Sequence, residues 1–138
     1  MEATVRAIFI KRERRGRSVS LESVQAIAGG LDGDHHTGFS KRRQILLVSG
    51  NVLDDLNLEP GTISENVVVD GMDVMVLQEG QQLRLGDAVV TVTTPCEPCV
   101  QMDRLRAGLR DALQNRRGMF VRVLVEGTVR VGDRVLRV

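Results

Sequence analysis

The residues best suited to chemistry are Cys96 and Cys99, in the segment Thr93-Thr94-Pro95-Cys96-Glu97-Pro98-Cys99-Val100-Gln101. Two prolines fix the backbone torsion at their own positions and restrict the residue before each, so the loop is stiff. The segment joins a predicted strand to a predicted helix, which puts Cys99 just before the helix N-terminus. Unpaired amides and the helix dipole at such an end favour a thiolate. Cys99 is therefore the expected reactive thiol, with Cys96 as a resolving thiol or a small buried residue. Free cysteine is also a common buried residue, so both thiols could be structural filler.

A second segment, Gly30-Leu31-Asp32-Gly33-Asp34-His35-His36-Thr37-Gly38, carries both histidines of the chain and is followed by Arg43. Its glycines and aspartates suit a surface loop. Two histidines plus the cysteine pair could instead make a zinc site, although neighbouring histidines rarely both reach one metal. A third segment, Ser64-Glu65-Asn66-Val67-Val68-Val69-Asp70-Gly71, places Glu65 and Asn66 at the start of a valine-rich strand. Asparagine is poor in strands and bonds readily to nearby backbone. The pair is either support for a turn or bulge, or a polar lining at the mouth of a barrel.

The elements that must hold these segments are mostly strands. Valine accounts for 21 of the 138 residues, and its branched side chain suits a pleated surface. Valine-rich runs cover 4–11, 18–25, 44–49, 66–69, 81–85, 88–94, 119–125, 128–131 and 134–138. Leu85-Gly86-Asp87-Ala88 and Val131-Gly132-Asp133-Arg134 both read as type II′ hairpins, with Glu126-Gly127 as a third turn. Many short strands between glycine turns predict a mainly β fold: a curved, closed or partly closed barrel. Two helices interrupt it. One runs from about Gly50 to Leu58, capped by Ser49 and stopped by Pro60-Gly61. The other runs from about Gln101 to Arg117, with Met102, Leu105, Leu109 and Leu113 on one face and the arginines mainly on the others.

The length fits one domain, 1–138, able to bury about two-thirds of its unfolded surface without a disulfide or metal. Nineteen basic residues against eighteen acidic ones do not indicate a nucleic-acid or membrane partner. With no Trp, no Tyr and three Phe, bases would have little to stack on. No stretch reads as a membrane span and the N-terminus lacks the apolar run of a signal peptide, so a soluble, cytoplasmic protein is expected. In that compartment the cysteines are expected to serve as a dithiol, a metal site or a reactive thiol.

Taken in order, the three segments resemble the MOSC domain, the module named for the C-terminal region of molybdenum cofactor sulfurases. The resemblance rests on Gly33-Asp34-x-His36 with Arg43 after it, on Glu65-Asn66 with Gly71, on Gly80 and Leu85-Gly86, on Cys96-x-Pro98-Cys99, and on Gly127 with Gly132-Asp133. It implies a strongly curved β barrel that binds the molybdenum cofactor (molybdopterin) or carries sulfur for it as a persulfide. It implies that Cys99 is the family's cysteine, a ligand if molybdenum is bound, and that Asp34, His36, Arg43, Glu65 and Asn66 line a cofactor pocket beside it. Implied partners are a molybdenum-cofactor enzyme or a cysteine desulfurase. The larger relatives carry further regions that this chain does not show. Its two lysines, Lys11 and Lys41, lie in no pyridoxal-phosphate setting, so that cofactor is not expected. A non-catalytic binding module and a zinc or redox dithiol protein are the alternatives, and the oligomeric state is unspecified.

Overall fold

Valine and leucine dominate the two strands at the heart of the molecule, β5 (Ile45–Ser49) and β6 (Val67–Asp70), and nearly every residue of both is buried. A strand apolar at every position must be covered on both faces. In the computed structural model, which describes residues 2–138, it is. Ile45, Leu47, Val67 and Val69 enter one apolar cluster, while Leu46, Val48 and Val68 enter another.

Around this pair lie β1 (Thr4–Ile10), β2 (Val19–Leu21), β7 (Gln82–Leu85), β8 (Ala88–Pro95), β9 (Met119–Val125) and β11 (Val135–Arg137). They form one eight-stranded sheet in the order β11-β7-β8-β9-β5-β6-β1-β2. A second sheet, β10-β3-β4, contains β10 (Gly127–Arg130), β3 (Ser23–Ile27) and β4 (Gly30–Leu31). The first cluster is the core between the two sheets, built from residues such as Val5, Leu31, Leu85, Val121 and Val129. The second is covered by α1 (Gly50–Asp55), α2 (Val100–Leu105) and α3 (Leu109–Ala112) through Leu53, Met102, Leu109 and Leu113.

The expected barrel is not formed, because neither sheet closes on itself. The large sheet curls until the start of β1 meets the turn before β11, but the contact is an isolated bridge, Thr4 with Arg134. The mainly β fold with short helices stands. The predicted strand runs fall on observed strands, with 18–25 divided into β2 and β3 and the two-residue β4 added.

Gly86 is at φ 60° in the two-residue turn joining β7 to β8, as a type II′ hairpin requires. The other two turns do not make hairpins. β10 pairs with β3 and β11 pairs with β7, so Glu126-Gly127 and Gly132-Asp133 carry the chain from one sheet to the other. Ser49 does not cap α1 through its side chain, and its hydroxyl instead accepts from the Val74 amide at 2.9 Å.

The long helix expected at 101–117 is two short ones. Arg106 is extended at φ −160° and Gly108 is left-handed at φ 83°, conformations that end a helix. Asp103 then accepts from the Arg110 amide at 3.0 Å and steadies the second turn. The break leaves Leu105 exposed while Met102, Leu109 and Leu113 stay buried. No helix among the described residues is long and apolar enough to cross a membrane.

Candidate functional site

β8 and β9 run antiparallel, with Pro95 opposite Met119. One more bond extends the ladder, from the Cys96 amide to the Gly118 carbonyl at 2.9 Å. Cys96 and Arg117 are thereby held side by side at the sheet end. They face a cavity of about 350 Å³ shared with His36, Arg43, Asn66 and Phe120. Phe120 and Leu46 supply apolar wall, and the rest is polar or charged.

Cys96 is half-buried. Burial pushes its thiol above the ordinary value, and the guanidiniums of Arg117 and Arg43 oppose that shift. Arg43 lies on the cavity rim with its guanidinium 5.8 Å from the centre of the Phe120 ring. It has no ion-pair partner among the described residues, so its charge is available to a ligand.

Arg117 is 6% exposed. Its Nη2 donates to the Ile63 carbonyl, and its Nη1 is buried without a partner. A buried guanidinium with a spare donor is costly unless something completes it. Sequence reasoning missed this residue by placing it among solvated helix arginines. A signal was present: the apolar row Leu105, Leu109, Leu113 continues four residues on to Arg117.

The other anticipated residues are distributed unevenly. His36 lines the cavity, though two-thirds of its side chain is solvent-exposed, and partial burial and repulsion from His35 lower its pKa against the pull of Asp34. Asp34 is buried and committed to backbone. It accepts from the Lys11 amide at 2.9 Å and the His36 amide at 3.2 Å, which fixes the histidine loop against the end of β1. Asn66 borders the cavity with both of its polar atoms engaged on backbone: Oδ1 accepts from the Leu46 amide at 2.9 Å and Nδ2 donates to the Phe9 carbonyl at 3.1 Å. It stitches β1 to β5. Glu65 is 1% exposed and borders an adjoining cavity of about 260 Å³ with Asn66 and both histidines. One oxygen accepts from the Gly61 amide at 2.8 Å and the other has no partner. Burial raises its pKa, against the pull of the Gly61 amide and Arg117.

Cys99 stands apart. It occupies the N-cap position of α2, is exposed and makes no side-chain capping bond. The helix behind it is six residues long, so the long dipole anticipated there is absent. The main cavity is bordered by Cys96, not Cys99. Among the described residues no three or more of His, Cys, Asp and Glu gather as a metal-binding group, which leaves the zinc alternative without a ligand set. A larger open depression of about 500 Å³ lies beside Arg42, Glu79 and Arg122. It holds no thiol, and its Arg42 is already paired with Glu79 at 2.8 Å.

A curled, mainly antiparallel β domain with a thiol and two arginines at one sheet end is the class of protein these features define. The chain belongs to the MOSC domain family, whose model matches residues 32–136. No curated protein matches the sequence. Among solved structures it is similar to the YuaD protein from Bacillus subtilis, with a TM-score of 0.84 and 22% identity, covering 98% of this chain and 94% of that one. It is also similar to YiiM from Geobacillus stearothermophilus, with a TM-score of 0.75, 18% identity and 99% and 75% coverage. YiiM from Escherichia coli gives 0.73, 18%, and 98% and 69%. At these identities the likeness is one of fold.

Proposed function

We propose that this chain is a small intracellular molybdenum-cofactor module that holds the pterin cofactor, or sulfur destined for it, in the Cys96 cavity. One observation carries the reading: a half-buried thiol and two guanidiniums face the same space, and one guanidinium is buried with a spare donor. The residues suit the group. A soft thiolate is the preferred protein ligand for molybdenum and for transferable sulfur. Arginine forks match a pterin phosphate. About 350 Å³ lies within the range of small-molecule sites, roughly 300–1,000 Å³.

In this reading Arg43 and Arg117 hold the phosphate and Cys96 presents its sulfur to the reacting end. His36 can take up or release a proton at the rim near neutral pH. Glu65 and Asn66 shape the wall, and Asp34 positions the histidine loop. Cys99 stands outside as the thiol a partner can reach, whether a cysteine desulfurase or a molybdenum-cofactor enzyme. The bound cofactor would supply a redox-active metal with oxygen and sulfur ligands. A reducing compartment would keep both thiols free.

The test is retention of pterin. The protein is incubated with molybdenum cofactor released from a donor enzyme, desalted, and its pterin measured by fluorescence after oxidation. Wild type is expected to retain pterin. Arg43→Gln and Arg117→Gln each lose a charge-assisted contact of about 1.5–3 kcal/mol, or roughly tenfold to a hundredfold in affinity. No retention by wild type, or unchanged retention by both variants, would refute the cofactor-holding form of the reading.

A further inference from the structure

We propose that Cys99 and Cys96 form a two-station sulfur relay: Cys99 accepts a sulfane sulfur at the surface and passes it to Cys96 in the cavity. This rests on the sulfur-handling form of the function above and adds the order in which the thiols are used.

The two cysteines share one short loop but occupy opposite situations. Cys99 is exposed, and its carbonyl accepts from the Met102 amide at 3.0 Å while its sulfur makes no capping bond. Cys96 is half-buried in a wall between two cavities. One is the arginine-lined space, and the other, of about 310 Å³, is bounded by Glu97, Pro98, Gln114 and Asn115. A bulky protein donor can meet the first thiol and not the second. Only Glu97 and Pro98 separate the two cysteines in the chain. The loop between them is held by Pro95, Pro98 and the bond from Cys96 to Gly118.

The chemistry balances without an oxidant. The donor is a persulfide, R–S–SH, on a protein or a small thiol. The Cys99 thiolate attacks the outer sulfur, and R–S⁻ departs with the electron pair of the broken S–S bond. The Cys96 thiolate then attacks the outer sulfur of Cys99–S–SH. A Cys96–S–SH bond forms, the Cys99 bond breaks, and the Cys99 thiolate takes up the proton that Cys96 surrendered. A thiol of higher pKa is scarcer as thiolate but more nucleophilic once ionised. Persulfides ionise more readily than thiols, so the product anion gains from facing Arg43 and Arg117. Those guanidiniums offset part of the cost that burial puts on an anion at Cys96.

Wild type, Cys99→Ser and Cys96→Ser are charged in parallel by a cysteine desulfurase with cysteine and by glutathione persulfide. Samples are trapped with iodoacetamide over time, and fragmentation across Glu97-Pro98 assigns the added sulfur. With the protein donor, wild type is expected to show sulfur first on Cys99 and then on Cys96. Cys96→Ser keeps it on Cys99, and Cys99→Ser labels Cys96 about tenfold more slowly or worse. Direct labelling of Cys96 in Cys99→Ser by glutathione persulfide shows that the variant is folded and competent. Equal labelling of Cys96 with and without Cys99 overturns the relay. So does sulfur that stays on Cys99 in wild type, or a Cys96–Cys99 disulfide formed with release of sulfide. No label on either cysteine from either donor overturns the sulfur-carrying function as well, and pterin retention then tests the cofactor-binding form alone.

Discussion

Glu65 and Arg117 are the two residues whose chemistry is least complete. Each is almost wholly buried, each satisfies one polar atom on backbone, and each has one left over. Burial raises the Glu65 pKa, so across its titration the folded state holds more protons than the unfolded one. Stability from this group is then fully present below the unfolded value of about 4.3 and declines as pH rises through the folded value. Denaturant unfolding of wild type and Glu65→Gln over a pH series checks this. The difference between the two is expected to change with pH above about 4.3, with wild type losing ground as pH rises. A difference that is flat with pH would show that Glu65 titrates alike in both states. At this scale the sequence was partly legible. The MOSC resemblance, and not spacing alone, pointed to His36, Arg43 and Asn66 as lining one pocket beside Cys99, and they border a cavity with Cys96 instead. Arg117 was passed over because a charged residue inside a helical pattern is ordinarily a solvated one.

At the scale of elements, strands were read well because period-2 patterning and glycine turns are local signals. β5 and β6 announce themselves as unbroken apolar runs. Connections between strands are not local. Gly132-Asp133 has the composition of a hairpin turn, yet it links two sheets, because β10 finds its partner about a hundred residues earlier in the chain. The helix expected at 101–117 was misread for a similar reason. Apolar spacing continues through Gly108, and only the tertiary fold shows that the chain breaks there. Two glycines with positive φ make the physics testable. Gly108 is at φ 83° with open space around it, while Gly118 is at φ 145° with the Leu47 carbonyl 2.7 Å from where a Cβ would sit. Gly108→Ala is expected to cost about 1–2 kcal/mol from backbone strain alone. Gly118→Ala should cost more, and it should disturb Cys96, which bonds to the Gly118 carbonyl. Equal losses of stability for the two variants in denaturant would contradict this account.

For the molecule as a whole, two apolar clusters on opposite faces of one sheet divide the labour. The larger lies between the sheets and reaches Val135 near the C-terminus; the smaller lies under the helices and is bordered by Cys96 and Phe120. Truncating a leucine in either should cost about 2–5 kcal/mol. Leu85→Ala, in the larger cluster, is expected to leave the alkylation rate of Cys96 unchanged in a Cys99→Ser background. Leu109→Ala, in the smaller one, is expected to raise it, because the cavity left behind loosens the wall that half-buries the thiol. Identical alkylation rates in the two would mean that the clusters do not act separately on the site.

The β5–β6 ladder is parallel, unlike its neighbours in the sheet. A parallel pair cannot be joined by a tight turn, so the chain must leave the sheet and return. It does so through residues 50–66, an excursion that contains α1 and ends at Ser64, Glu65 and Asn66 on the cavity walls. It is anchored along its length: Leu53 and Ile63 are buried in the smaller cluster, the Gly61 amide donates to Glu65, and the Ile63 carbonyl accepts from Arg117. Ser64, at the end of that excursion, borders both cavities, so a substitution there would redraw one side of the site without touching a strand. The parallel ladder thus obliges the chain to leave the sheet and return past the cavity, which puts one wall of the binding space on a connection between strands instead of on a strand.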